Sequence, residues 1–231
     1  MVMAAGLGSR MMPLTANTPK PLIKVAGVTL LDHVLDQLRT SGVGRVVVNA
    51  HYLADQIEGH MRQFATDLEV AISDERDLLR DTGGGLIKAK SLIPDDPFLC
   101  INADNWWTDS AGNALQKMAA TWDDSRMDVL MLVVPFARAN NTQGQGDFEM
   151  DGNGHLSRRV PGTNAPYVWT GVQMLSKRLL VDPPADVFST NIFWDRAITK
   201  GRCFGLIHDG LWFDVGYPAA IPATEAILNN G

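Results

Sequence analysis

The chain has 231 residues, a length that suits one large α/β domain, and 45% of its residues are hydrophobic, which is enough to form a core. Its 20 Lys and Arg residues are outnumbered by 26 Asp and Glu residues, which gives a formal net charge of -6. No stretch is rich in basic residues, so we expect no nucleic-acid partner.

The N-terminus carries no basic segment before its first apolar residues, which argues against a secretory signal peptide. The longest apolar run, residues 129–137, is far shorter than the roughly 20 residues that span a bilayer. We therefore expect a cytoplasmic protein without a membrane partner. Residues 2–5 (VMAA) are typical of the interior of a strand, so we expect a few residues to precede Met1 in the native chain.

Strand-like and helix-like segments alternate through the first half of the chain. Short apolar, often β-branched runs predict strands at residues 45–49, 68–72, 98–102 and 129–134. Helical spacing of apolar residues predicts helices over 30–40 and around Ile57, Met61 and Phe64, and further helices after Gly83 and after Asp109. This order predicts a Rossmann-like, mixed but mostly parallel central sheet with helices on both faces.

The alternation ends near residue 140. Residues 147–150 and 155–157 flank the turn 151–154 (DGNG), which predicts a hairpin. A strand at 168–175, a helix capped by Ser189 and a last helix after Pro218 follow. We predict that the second half contributes a small β-rich insertion to the same sheet.

The two cysteines and five histidines give no sign of a metal centre or a disulfide. Cys100 and Cys203 each lie in an apolar run, which predicts two buried thiols. No His-x-x-x-His pair is present, so zinc chemistry is not indicated.

A glycine-rich segment, residues 4–11 (AAGLGSRM), follows the first predicted strand. Such a turn lets backbone N–H groups approach phosphate oxygens. A dinucleotide fingerprint is excluded because position 11 is Met11, and a Walker loop is excluded because the chain has no Gly-Lys pair. Arg10 and Lys20, the latter between two prolines, would offer a triphosphate two cations. The alternative is a solvated surface loop.

Two carboxylates occupy positions that suit a hard cation. Asp104 follows the strand predicted at 98–102, at the end where open α/β sheets bind ligands. Asp214 stands in the apolar run WFDVG, where an unpaired carboxylate is costly. Carboxylate and phosphate oxygens are the ligands that Mg²⁺ prefers. For either residue alone, a helix cap or turn is the alternative.

A further glycine box, residues 81–85 (DTGGG), precedes a predicted helix. Glycines at a helix start are expected to expose backbone donors and to permit close approach of a ligand. The alternative is a flexible turn in which Thr82 caps the helix. Asn49 ends a neighbouring predicted strand.

These motifs together resemble those of the sugar-1-phosphate nucleotidyltransferases. The matching runs are AAGxGxRMxPLT at 4–15, PKPL at 19–22, the glycine box, NAD at 102–104 and WxDVG at 212–216. The resemblance covers nearly the whole chain and implies one nucleotidyltransferase domain over 1–231. It implies catalytic roles for Arg10 and Lys20, nucleotide binding by Ala4, Ala5, Gly6, Gly8, Asn49, Thr82 and Gly83, sugar binding by Gly85, Asn102, Asp147, Thr170 and Gly171, and Mg²⁺ binding by Asp104 and Asp214.

The departures from the family pattern bear on the substrates. Ala103 replaces a usual glycine, and the Glu-Lys-Pro box of many relatives is replaced by SRRVP at 157–161, which makes Arg158 or Arg159 the candidate cation. With its short chain, its glycine box and no C-terminal β-helix, the sequence most resembles family members that act in cell-wall recycling, and this resemblance implies UTP and N-acetylmuramic acid 1-phosphate as substrates, with pyrophosphate released. GTP with mannose 1-phosphate is one alternative. A non-catalytic nucleotide-sugar sensor on the same fold is an alternative of another class.

Overall fold

A central nine-stranded sheet organises the computed structural model, which describes residues 1–229. The strands are β1 (Val2–Met3), β2 (Lys24–Val25), β3 (Val28–Thr29), β4 (Arg45–Ala50), β5 (Glu69–Asp74), β6 (Phe98–Asn102), β7 (Asn105–Thr108), β8 (Val129–Pro135), β9 (Ala139–Asn140), β10 (Phe148–Met150), β11 (Leu156–Arg158), β12 (Tyr167–Leu175), β13 (Cys203–Ile207) and β14 (Leu211–Asp214). The helices are α1 (Leu30–Thr40), α2 (Ala54–Phe64), α3 (Asp81–Ala89), α4 (Ala114–Thr121), α5 (Asn191–Thr199) and α6 (Ala220–Leu228).

The sheet is mixed, but most of its strands run in one direction. Strands β5, β4, β1 and β6 are parallel neighbours. Strand β12 pairs antiparallel with both β6 and β8, so β8 and its parallel neighbour β13 run the same way as β6. The hairpin of β10 and β11 joins the edge of β12. The predicted mostly parallel sheet and β-rich insertion are confirmed, and residues 1–229 contain no C-terminal β-helix.

Helices cover both faces of this sheet because its strands are apolar on both sides. In β4, Val46 and Val48 pack in the core that includes α1, α2 and α4, whereas Val47 packs in the core that includes α3 and α5. The alternation places one helical layer on each face, as predicted. Cys100 and Cys203 are buried and free, as the sequence indicated. No helix within residues 1–229 combines the length and apolar character that crossing a bilayer requires.

A side-chain cap fixes the start of α1, and burial shows which predicted apolar residues of α2 face the core. Thr29 accepts the N–H of Asp32 at 3.0 Å and starts α1, whose apolar face is buried. The predicted apolar face of α2 is correct for Ile57 and Met61, but it is wrong for Phe64, which is 52% exposed at the last turn and packs against the ring of His60. The apolar periodicity of the sequence therefore continues into a last turn whose aromatic side chain is exposed.

A three-stranded sheet beside the main one connects distant parts of the chain. Strand β14 pairs antiparallel with β7 and parallel with β9. The register sets Asp214 opposite Asn105, the residue that directly follows Asp104. This pairing brings the end of β14 to the carboxyl end of β6.

A segment of the second half, residues 186–190 (the strap), lies across the start of α3. The N–H groups of Gly83 and Gly84 donate to the carbonyl oxygen of Phe188 at 2.8 and 3.1 Å. The N–H of Thr190 donates to the hydroxyl of Thr82 at 2.9 Å. The expectation that the glycine box exposes its backbone donors is therefore wrong at Gly83 and Gly84, because the strap uses them.

The strap also explains why glycine is required at position 84. A Cβ added there would lie 2.2 Å from the carbonyl oxygen of Asp186, a backbone atom that cannot move alone. We expect Gly84→Ala to lower the free energy of unfolding by about 1–3 kcal/mol, the usual cost of overpacking. Urea denaturation measures the change.

Gly59→Ala is the matched control, since Gly59 lies within α2 and an added Cβ would meet nothing within 4 Å. It should raise the free energy of unfolding by about 0.5–1 kcal/mol through the better helix propensity of alanine. Equal effects of the two substitutions would contradict the packing role of the strap.

Candidate active site

The glycine loop is held at the carboxyl end of β1 by its neighbours. The N–H of Ala4 donates to Oδ1 of Asn49 at 2.7 Å, and the hydroxyl of Thr15 donates to the carbonyl oxygen of Gly8 at 2.9 Å. Gly8 has a φ of 65°, and a Cβ there would lie 2.9 Å from the Thr15 methyl carbon and 3.0 Å from Cβ of Lys20. Glycine at this position lets the segment that carries Lys20 pack against the loop.

The loop presents backbone donors at the protein surface. Among the described residues, the N–H groups of Gly6, Leu7 and Gly8 have no protein acceptor. A Cβ at Gly6 would meet nothing within 4 Å, so space remains above the loop. Clustered N–H groups of this kind bind anions such as phosphate.

Lys20 and Arg10 each lie near one of the two carboxylates. Lys20 is buried between Pro19 and Pro21, and its Nζ pairs with Oδ2 of Asp104 at 2.5 Å. Arg10 is exposed, and its Nη1 lies 3.3 Å from the position that a Cβ at Gly216 would occupy. Both cations therefore lie beside carboxylates, and their contact with a phosphate stays a prediction.

Asp214 is a half-buried carboxylate at the end of β14. Its Oδ1 lies 2.7 Å from where a Cβ at Gly216 would be. Burial raises the pKa of Asp214 above its usual value, the charges of Lys20 and Arg10 oppose that rise, and the nearby charge of Asp104 adds to it. Two carboxylates that repel each other in a partly buried site favour a bound cation.

A cleft of about 500 Å³ opens over the glycine loop, at the carboxyl ends of β1, β4 and β6. Ten of the residues predicted from the sequence line it: Ala4, Ala5, Gly6, Gly8, Arg10, Lys20, Asn49, Thr82, Asn102 and Asp104. Parallel strands deliver their carboxyl ends to one edge, so segments from three strands meet there.

The remaining nucleotide and sugar candidates do not line this cleft. Gly83 is covered by the strap, and Gly85 packs against Glu75, because an added Cβ at Gly85 would lie 2.9 Å from Oε1 of Glu75. Thr170 is buried and its hydroxyl donates to the carbonyl oxygen of Leu132 at 2.8 Å. These contacts give each residue a packing role, and their binding roles stay predictions.

On the β12 side, Gly171 has a φ of 83°, and Asp147 accepts the N–H of Trp169 at 2.9 Å. Desolvation raises the pKa of the Asp147 carboxyl. Of the candidate cations, Arg158 pairs with Asp195 at 2.8 Å, and Nε of Arg159 donates to the carbonyl oxygen of Gly146 at 3.0 Å. Neither arginine reaches the cleft over the glycine loop.

Sequence reasoning missed Glu75, a fully buried residue that lines the cleft. Its Oε1 accepts the amide of Asn49 at 2.8 Å, and desolvation raises its pKa. Glu75 follows β5 as Asp104 follows β6, so the rule that selected Asp104 would have found it. Val187 of the strap also lines the cleft, and no local signal marks it.

Free N–H groups, two cations and Asp104 lie at the cleft on this edge of the main sheet, and Asp214 lies near Arg10 at the end of β14. Such a set can hold a polyphosphate together with a hard metal ion. Fold and site thus define a class, the α/β proteins that bind nucleotide phosphates at the carboxyl ends of parallel strands.

Comparisons with known proteins narrow this class. The family model described as nucleotidyl transferase matches residues 1–160. The chain is 40% identical, over 231 residues that cover 99% of it and 96% of the relative, to N-acetylmuramate alpha-1-phosphate uridylyltransferase of Caulobacter vibrioides. The chain belongs to the nucleotidyl transferase family, and the family resemblance drawn from its motifs is confirmed.

Two further comparisons are more limited. A mannose-1-phosphate guanylyltransferase catalytic subunit beta of Drosophila pseudoobscura pseudoobscura is 35% identical over 108 residues, which cover 45% of this chain and 29% of that protein. The structure of HddC from Yersinia pseudotuberculosis complexed with GMP-PN superposes with a TM-score of 0.77 at 21% identity, covering 98% of this chain and 97% of that one. The latter supports the fold alone.

The loop cations generate a prediction about turnover. Lys20→Ala should lower kcat/KM by about 100-fold or more, the usual effect of losing one preorganised charge. Arg10→Lys should also lower it, because a planar guanidinium fork is replaced by a point charge. Pyrophosphate release measures both.

Lys24→Ala is the control, since Lys24 is an exposed lysine of β2 outside the cleft. It should keep wild-type kinetics. Full activity of both loop variants at an unchanged melting temperature would make Arg10 and Lys20 ordinary surface cations.

Proposed function

We propose that this enzyme transfers a uridylyl group from UTP to N-acetylmuramic acid 1-phosphate and releases pyrophosphate, with Mg²⁺ as cofactor. The observation that carries the proposal is the convergence of Lys20, Arg10, Asp104 and Asp214 beside a loop with free N–H groups. The choice of substrates is supported by the full-length similarity to a uridylyltransferase, whereas the guanylyltransferase similarity covers less than half of the chain.

The reaction requires no protein nucleophile. A phosphate oxygen of the sugar 1-phosphate attacks the α-phosphorus of UTP, and the bond to the β-phosphate oxygen breaks as pyrophosphate leaves. The N–H groups of the glycine loop and the charges of Arg10 and Lys20 bind the polyphosphate and stabilise the charge that develops on it. Residues 1–229 thus contribute positioning and electrostatics rather than covalent chemistry.

The donor set fits Mg²⁺. Asp104 and Asp214 offer only oxygen, and their mutual repulsion favours a cation between them. Residues 1–229 contain no group of three or more His, Cys, Asp or Glu side chains that could hold a metal. Phosphate and water oxygens would complete the shell, and the ion would neutralise charge on the phosphates.

Glu75 is a candidate for contact with the base. Its buried carboxylate lines the cleft and accepts the amide of Asn49, and it can also accept an N–H from a ligand. A cytoplasmic location accords with the two free, buried cysteines.

A non-catalytic sensor on the same fold would tolerate loss of Arg10, Lys20, Asp104 and Asp214, yet all four are present. Release of pyrophosphate by the purified protein distinguishes the enzyme from the sensor.

The carboxylates generate the metal prediction. Asp104→Asn and Asp214→Asn should each lower kcat by about 100-fold or more, because each removes one charge from a preorganised site. EDTA should abolish turnover and added Mg²⁺ should restore it. Asp209→Asn is the control, since Asp209 pairs with Lys117 at the surface, and it should keep its kcat. Near-wild-type turnover of either site variant would refute the metal assignment.

Substrate choice is tested by comparing kcat/KM, since discrimination comes from differences in transition-state binding. We expect UTP with N-acetylmuramic acid 1-phosphate to give the highest value among UTP and GTP combined with the 1-phosphates of N-acetylmuramic acid, N-acetylglucosamine and mannose. A higher value for GTP with mannose 1-phosphate would reassign the substrates and leave the roles of the charged groups intact.

A further inference from the structure

Val187 is the residue of the strap that lines the cleft over the glycine loop, and it is 47% exposed. Single exposed valines are common on protein surfaces and by themselves need no explanation. Val181, for example, is 49% exposed and does not line this cleft. Val187 differs because its accessible apolar surface faces a cleft of about 500 Å³, large enough for a ligand.

The backbone on both sides of Val187 is fixed. The carbonyl oxygen of Asp186 packs so closely against Gly84 that an added Cβ there would lie 2.2 Å from it. The carbonyl oxygen of Phe188 accepts the N–H of Gly84 at 3.1 Å, and its N–H donates to the carbonyl oxygen of Arg80 at 3.2 Å. Valine also has a stiff side chain. An apolar group held in this way loses little conformational entropy when a ligand packs against it.

The wall of the cleft next to the strap is acidic. Glu75 and Asp81 both line the cleft, and Oε2 of Glu75 accepts the N–H of Arg80, whose carbonyl oxygen accepts a hydrogen bond from the strap. Within residues 1–229, the cations that line the cleft are Arg10 and Lys20, which belong to the glycine loop and to the segment packed against it. Phosphates are therefore drawn to the loop, and the wall beside the strap suits an uncharged part of the ligand.

We propose that Val187 binds the nucleoside of UTP, with its methyl groups packing against the uridine. The inference rests on the proposed function and deepens its nucleotide site. It means that the second half of the chain contributes to binding the nucleotide whose phosphates are expected at the glycine loop. Because Val187 is half exposed, its truncation removes little from the core and should leave folding intact.

The test measures the Kd for UTP by calorimetry, with Mg²⁺ and without the sugar 1-phosphate. Val187→Ala should raise this Kd about 5-fold, because it removes two methyl groups from a partly covered contact. Val187→Asp should raise it further, since a carboxylate would lie against an apolar surface. Val187→Ile should bind UTP as well as wild type. In turnover at saturating UTP, the KM for N-acetylmuramic acid 1-phosphate and the melting temperature should stay at their wild-type values.

Two controls isolate the nucleoside contact. Val181→Ala truncates an equally exposed valine outside the cleft, and it should not change the Kd for UTP. Inorganic tripolyphosphate carries the phosphates without a nucleoside. As a competitive inhibitor against UTP, it should have the same inhibition constant with wild type and with every Val187 variant.

Four outcomes would overturn the inference. An unchanged Kd for UTP in both Val187→Ala and Val187→Asp would remove the contact. Equal weakening of UTP and tripolyphosphate would mean that the strap acts on the phosphate site. A higher KM for the sugar 1-phosphate with an unchanged Kd for UTP would assign Val187 to the second substrate. Wild-type protein that binds neither UTP nor GTP would defeat the proposed function and this inference together, whereas the first three outcomes defeat the inference alone.

Discussion

The register between β7 and β14 is the constraint on which the site depends. It sets Asp214 opposite Asn105 and so beside Asp104, although the two carboxylates belong to distant parts of the chain. Side chains alternate along a strand, so a slip of one residue would turn Asp214 to the other face of the small sheet. Trp212 supports the register through an indole N–H that donates to the carbonyl oxygen of Thr170 at 3.0 Å.

An acidic protein that binds a polyphosphate must concentrate positive charge locally. With a net charge of -6, the chain gains nothing from its overall field, and the loop N–H groups, Arg10 and Lys20 are the local donors and charges that we propose supply the attraction. Lys20 is nearly buried and already paired with Asp104, which holds its ammonium group at the cleft. Prolines on both sides limit the backbone of this lysine, so little entropy is lost when it binds a ligand.

The two halves of the chain are joined at the same edge of the sheet. The strap accepts hydrogen bonds from the N–H groups of Gly83 and Gly84, and its Val187 lines the cleft. Strand β12 packs against the side chain of Asn105 at Gly171. The first and second halves of the chain therefore share packed contacts rather than meeting across a linker. A change in one half, such as Gly84→Ala, acts on elements of the other.

The sequence by itself determined the features that depend on nearby residues: the glycine loop, the strand that ends before Asp104, and the alternation that builds a two-faced parallel sheet. Local patterns suffice there because turn geometry and strand periodicity are set within a few positions. Only the tertiary structure decided that Phe188 occupies the donors of Gly83 and Gly84, that Val187 lines the cleft, and that Asn105 lies opposite Asp214. These facts arise from contacts between segments far apart in the chain, which no local pattern encodes.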